Sequence, residues 1–427
     1  MEQTCSFHLP SYPNTTSTPT TPPPDYHSHP EGGEQCLGAA TFPRARPTGT
    51  YVKKSKSMTI ILTSQNPQAS MPSYSRNGSV NGFILIENRT SVTEVQVELV
   101  GEMSVVIDRD RTTPLVQDHQ TLWKYDSTSS DPESSSSSTP CPSAIPFACV
   151  FPPTFVSPAI VPVNTEPCSF PLPPSVNFRY PGEFVAAIEY HIKATVIYGR
   201  SPSLCFWNKM KTLTIPLSYL PRDRPLYAVS SGISFFSSLK IAPEEWHQTV
   251  SAIKPRLEGT VPPIDCSLFV PSLKVYGLSD IIPVHVNLTG PIQSLRELMP
   301  LQQHDKMNRQ PSLIHIHIVR QVYVSLKNGR HAVRSSVIGE GKVHELPPHI
   351  DDTGWTNEVE EGIGTLHWES TIQCSSTVTL GSFRTDGISL KDFIILQVCP
   401  VKKSSHFPCH RVEVNIKLVT DAAGFDV

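Results

Sequence analysis

Few residues in this chain could do chemistry by type and spacing. Near its start stands Pro22-Pro23-Pro24-Asp25-Tyr26, within which Pro23-Pro24-Asp25-Tyr26 has the PPxY spacing of a WW-domain ligand. Consecutive prolines hold a polyproline II conformation before any partner arrives, so little entropy is lost when their rings lie across an aromatic groove and Tyr26 fills the neighbouring pocket. The bland alternative is a chance match in a proline-rich tail. Leu9-Pro10-Ser11-Tyr12 is a degenerate copy, because leucine lacks the fixed φ of a first proline. Leu9, Pro10 and Tyr12 would gain only through effective concentration against a partner with several WW domains. Lys53, Lys54 and Lys56, preceded by Arg44 and Arg46, form a basic run at the start of a strand. Such a run suits anionic lipid or an acidic cargo tail, each basic group contributing ~1 kcal/mol near such a surface, or simply a charged edge that discourages strand pairing.

The remaining candidates are weaker. His315 and His317 project from one face of a strand but have no third ligand in sight, and Cys399, His406, Cys409 and His410 fit no standard zinc spacing. Asp351-Asp352 lies beside Pro347-Pro348 in a loop with no group to tune either carboxylate. The sequence holds no Gly-rich phosphate loop, no GxSxG and no HExxH. The expectation is therefore a non-enzyme with no cofactor, no metal and no small-molecule substrate.

Composition limits the elements that position these residues. Proline is 42 of 427 residues, roughly twice average usage, which disfavours long helices. A formal net charge of −3 offers no basic field for nucleic acid. No segment reaches ~18 consecutive apolar residues, and Met1 to Pro24 lacks the basic and apolar regions of a secretory leader. A cytoplasmic protein is expected, with its ten cysteines, none in a CxxC pair, reduced.

Residues 1–49 are rich in Pro, Ser, Thr and Gly and cannot bury enough apolar surface to offset chain entropy, so a disordered arm is expected. From Tyr51 the chain alternates. Met58, Ile60 and Leu62, then Val95, Val97 and Leu99, then Ile188, Tyr190, Ile192, Ala194, Val196 and Tyr198 recur at period two. A serine-rich excursion, about 126–142, interrupts this half. Pro243, Glu244, Glu245, Trp246, Val250 and Ile253 predict one short helix in a connection spanning 223–256. Period two returns at Ile282–Leu288, Ile314–Ile318 and Val412–Leu418. The expectation is all-β: a sandwich over 50–222 and a second over 257–427.

Several stretches resemble the arrestin family, specifically the α-arrestins or arrestin-related trafficking adaptors. The resemblance rests on Gly78-Ser-Val-Asn-Gly-Phe-Ile-Leu-Ile86, Val95-Gln-Val-Glu-Leu-Val-Gly101, and Phe170-Pro-Leu-Pro-Pro174 leading to Ile188–Val196. In the second half it rests on Leu268-Phe-Val-Pro-Ser272, Ile282–Gly290 and Gly381–Ile394, and it covers roughly Tyr51 to Thr420. It implies two tandem immunoglobulin-like antiparallel sandwiches, the arrestin fold, acting as an adaptor. Such an adaptor brings a WW-domain, HECT-type ubiquitin ligase to a membrane transporter or receptor for endocytosis and sorting, at the plasma membrane or endosomes. The alternative is an arrestin-fold scaffold or sorting-coat subunit in which PPxY is incidental. Relatives commonly carry PPxY after the second domain; here it precedes the first.

Overall fold

The computed structural model describes residues 47–107, 110–125, 140–157, 168–199, 209–229, 234–298, 312–326, 329–346, 362–400 and 404–423. The motifs at 9–12 and 23–26, the rest of the arm up to residue 46, the serine-rich segment 126–139 and Asp351-Asp352 lie outside these residues.

Alternation of apolar and polar residues builds the first domain from β1 (Gly49–Lys54), β2 (Met58–Gln65), β3 (Ser73–Tyr74), β4 (Ser79–Ile86), β5 (Val92–Val106), β6 (Asp110–Lys124), β7 (Ala144–Val150), β8 (Thr154–Val156), β9 (Ser169–Pro171), β10 (Val176–Tyr180), β11 (Phe184–Tyr198) and β12 (Lys209–Tyr219). One sheet runs β1-β2-β4-β7, a second β3-β12-β11-β5-β6 with β10 also on β11, and β8 and β9 pair as a small ribbon of their own. Side chains of a strand alternate between faces. Met58, Ile60 and Leu62 therefore meet Val95, Val97, Leu99, Ile188 and Ile192 in one core. Tyr190 anchors its far end, donating its hydroxyl to the Pro173 carbonyl at 2.7 Å. Its ring needs Gly101 opposite on β5, since a Cβ there would lie 2.6 Å from the ring.

The second domain follows α1 (Phe235–Ile241) and a 3₁₀ turn at Pro243–Glu245. It comprises β13 (Trp246–Ile253), β14 (Ile264–Pro271), β15 (Val275–Gly277), β16 (Ile282–Pro291), α2 (Ile292–Leu298), β17 (Ile314–Ser325), β18 (His331–Leu346), β19 (Ile363–Ile372), β20 (Phe383–Arg384), β21 (Ile388–Val398) and β22 (His410–Val419). Its strands form one sheet, β13-β14-β16-β19-β18-β17-β21-β22-β15, with β20 on β21. The sheet curls because β18 changes partner: residues up to Glu340 pair β17, and Gly341 to Leu346 pair β19. Glycine is required at the crossing, where a Cβ on Gly339 would lie 2.5 Å from the Gln373 carbonyl oxygen. The curl lets Leu268, Val286 and Trp368 close on Ile316, Leu396 and Val414 in a second core.

Both domains are mostly β, as expected, with three differences. The predicted helix at 243–253 is instead the 3₁₀ turn followed by strand β13, paired with β14 along its whole length. Val250, which a helix would have turned inward with Trp246 and Ile253, is 62% exposed. The β-branched Thr249, Val250 and Ile253 favour the extended form once β14 offers its edge. The connecting helix sits upstream as α1, and a second helix, α2, buries Ile292, Leu295 and Leu298. Nor is pairing wholly antiparallel: β3 runs parallel to β12 and β15 parallel to β22, both short edge segments.

The two domains share apolar packing. Val322 and Val324 of β17 and Ile388 and Leu390 of β21 belong to the core cluster of the first domain. Fully burying such side chains contributes about 1.5–3 kcal/mol each. Around this seam Thr385 Oγ1 lies 3.4 Å from Met103 Sδ, Arg334 pairs with Glu183 at 3.0 Å, and Ser157 donates to Asp386.

Beside the seam, Arg320 and Asp392 stand opposite each other on β17 and β21 with no exposure of the carboxylate side chain. Nε and Nη2 donate to the two carboxylate oxygens at 2.8 and 3.0 Å. Ser382 Oγ donates to Oδ2 at 2.7 Å and accepts from the Leu418 amide at 2.8 Å. Removing one member strands the other charge. Asp392→Ala should lower unfolding free energy in urea by about 3–5 kcal/mol, whereas the double variant Arg320→Met/Asp392→Leu should recover most of that loss.

Candidate functional site

Of the sequence-derived site residues, Pro23, Pro24, Tyr26, Leu9, Pro10 and Tyr12 lie outside the described residues. Lys53, Lys54 and Lys56 lie within them, on and just after β1, an edge strand, while Arg44 and Arg46 do not. Lys53 reaches across to the other sheet and donates to the Thr214 carbonyl of β12 at 2.9 Å. Lys54 pairs with Glu87 at 3.1 Å, with both side chains at least half exposed. Lys53 thus ties the edge strand of one sheet to β12 of the other. Lys54 and Lys56 stay at the surface.

The histidine and cysteine candidates diverge. His315 and His317 stack with ring centroids 6.3 Å apart and nearly parallel planes. His406 Nδ1 faces Glu297 at 3.3 Å, while His410 Nε2 contacts Ser251 Oγ at 2.9 Å. Cys399 and Cys409 interact with each other, and burial, then that neighbour, pushes the Cys399 thiol up to about 11. Among the described residues no group of three or more His, Cys, Asp or Glu is arranged to hold a metal ion. No helix among them is long and apolar enough to cross a membrane.

The structure also brings together a histidine pair that the sequence reading did not single out. His285 on β16 and His367 on β19 approach to 3.2 Å between Nε2 and Nδ1. The Phe235 ring of α1 stacks on His285 at 3.7 Å and 8°, and Phe236 packs edge-on to His367 at 5.1 Å. Trp246 Nε1 donates to Ser238 Oγ of the same helix at 2.9 Å. At seven residues α1 is too short to persist alone. It is held on the sheet by these rings.

Burial, then the facing His367, holds the His285 imidazole down at about 3. Its folded value lies below the ordinary ~6.5, so this stabilisation is fully present above that pH and is lost as pH falls toward the folded value, on the order of 1 kcal/mol per pH unit. Urea midpoints should therefore drop between about pH 7 and 5. His285→Phe should flatten that dependence.

A cleft of about 1350 Å³ lies between the two domains. A clamp closes one end of it. Arg76 holds Asp223 at 2.9 Å, and the Asp223 amide donates to Thr420 Oγ1 at 2.9 Å. The Asp223 carbonyl accepts from the Asp421 amide at 3.0 Å, and Arg222 pairs with Asp421 at 3.1 Å. Leu172, Leu220, Pro221, Leu278 and Leu380 give apolar walls, and Arg384, Lys391 and Lys417 line the second domain's side. These three cations carry no sequence signal, being separated in the chain and joined only by the pairing of β20, β21 and β22.

No family model matches the sequence, and no curated protein matches it.

Proposed function

We propose that this chain is a non-catalytic adaptor of the arrestin-related type. Pro23, Pro24 and Tyr26 hold a WW domain of a HECT-type ubiquitin ligase. The two sheet domains engage a membrane transporter or receptor, directing it to ubiquitylation, endocytosis and sorting, with the adaptor peripheral at the plasma membrane or endosomes.

The observation that carries this reading is a PPxY motif on a chain whose described body is two docked β domains. Further support comes from where the family-like stretches fall. Gly78–Ile86 spans β4, Val95–Gly101 lies in β5, Ile188–Val196 in β11 and Ile282–Gly290 in β16, all contributing to the cores. Gly381–Ile394 runs through β20 into β21, and so into the seam between domains. A preformed proline ligand and a rigid platform are the two parts an adaptor needs.

Isolated WW domains immobilised on resin should capture the full chain. Tyr26→Ala should weaken that capture by about 2 kcal/mol, roughly thirtyfold in Kd. Equal capture of both chains, or none of either, would replace the ligase adaptor with a scaffold in which the motif is incidental.

A further inference from the structure

We infer that the cleft between the two domains binds an acidic peptide in extended form. The inference goes beyond the ligase reading and does not need the motif at 23–26.

Its first support is an unbalanced charge. Five cations line the cleft, Arg76, Arg222, Arg384, Lys391 and Lys417, against two carboxylates, Asp223 and Asp421. Arg76 and Arg222 are neutralised by those two carboxylates. Arg384, Lys391 and Lys417 are exposed and have no ion-pair partner among the described residues. The cleft is thus locally three charges positive on a chain whose formal net charge is −3. A concave wall of one sign concentrates counter-charged ligand.

The second support is register. Arg384 pairs with Ser389, and Lys391 lies two residues further along β21, so Arg384 and Lys391 share the outer face of the sheet. On β22 the even residues Val412 to Leu418 fill the second core, which turns Lys417 to that same outer face. Lys391 and Lys417 flank the Asp392↔Ile416 pair on the same side. Like charges on neighbouring strands destabilise a sheet. Nothing in the fold requires lysine at either position, whereas an anionic ligand across the three strands would neutralise the repulsion.

The third support decides the kind of anion. The rest of the lining adds apolar walls: Leu220, Pro221, Leu278 and Leu380. An extended peptide sends successive side chains to opposite sides, so acidic residues can face the cations while apolar ones face these walls. A volume of about 1350 Å³ exceeds the roughly 300–1000 Å³ of small-molecule pockets, so a lone phosphate would leave the walls wet. A flat lipid surface could not enter the cleft to reach them.

Fluorescence anisotropy on the full chain tests this with a short labelled peptide alternating glutamate and leucine. Saturable binding that weakens with ionic strength is expected. The triple variant Arg384→Glu/Lys391→Glu/Lys417→Glu should bind about tenfold more weakly or worse. Lys209→Glu, an exposed lysine outside the cleft, should bind as the parent does. If the triple variant fails to fold, judged by its thermal melt, the single variants Lys391→Ala and Lys417→Ala carry the same comparison at smaller amplitude. Three results would overturn the inference: equal binding of the peptide with every glutamate changed to glutamine, undiminished binding by the cleft variants, or full displacement of the peptide by inorganic phosphate or phosphatidylserine vesicles at comparable concentration. Loss of WW-domain capture with peptide binding intact would remove the ligase reading and leave this one standing.

Discussion

The architecture depends on apolar side chains that belong to both domains at once. Domains joined by one linker move relative to each other unless their interface is large and apolar. Here Val322, Val324, Ile388 and Leu390, projecting from strands of the second domain, are buried in the core of the first. Gly387 admits this approach, since a Cβ there would sit 3.2 Å from Met103 Cε. The interface is therefore a continuation of packing rather than a contact of two finished surfaces. Protein interiors at close-packed density transmit displacement instead of absorbing it. The cleft, which Leu390 of this seam also lines, inherits that fixed geometry.

Polar groups then set direction where apolar packing alone would allow sliding. Arg320 and Asp392 face each other in a planar fork whose two parallel donors tolerate little rotation. Through Ser382 the same carboxylate reaches the backbone of β22, so β17, β21 and β22 are tied in one register. Such a pair is weak evidence of added stability, because desolvation offsets much of its attraction. Its contribution is specificity, at strands that carry both the seam and the cationic wall. The clamp of Arg76, Asp223, Thr420 and Asp421 does the same work at the surface, joining first domain, linker and last strand through hydrogen bonds no one of them could make alone.

Strand periodicity was legible in the sequence because a sheet with one buried face must alternate. Met58, Ile60 and Leu62, or Val412, Val414 and Ile416, leave no other economical reading and lie inward as expected. The helix was misread for a physical reason. Trp246, Val250 and Ile253 satisfy helical spacing, and only pairing with β14, a segment many residues away, reveals that Val250 faces solvent. The true helix, Phe235 to Ile241, has no side-chain cap at Ser234 and exists because His285 and His367 present rings to it. Helix α2 did leave a signal that went unused: Pro291 at its threshold, then apolar residues at 292, 295 and 298. The cleft left none, since Arg384, Lys391 and Lys417 become neighbours only through ladder register.

The two recognition elements argued for this chain are prepared in advance by opposite means. Pro23 and Pro24 restrict their own φ angles, so the ligand conformation is written into the residues and needs no support from a fold. The cleft has no such local preference: its cations sit on flexible stems, and only the sheet beneath them fixes their spacing. Ordering a binding site at the moment of association costs roughly 0.5–1.5 kcal/mol for each side chain immobilised. A shared core makes the wall behind those stems rigid, which confines that cost to the side chains and spares the backbone. Weakening the seam at Met103, which does not line the cleft, would therefore be felt first in the cleft rather than in the motif.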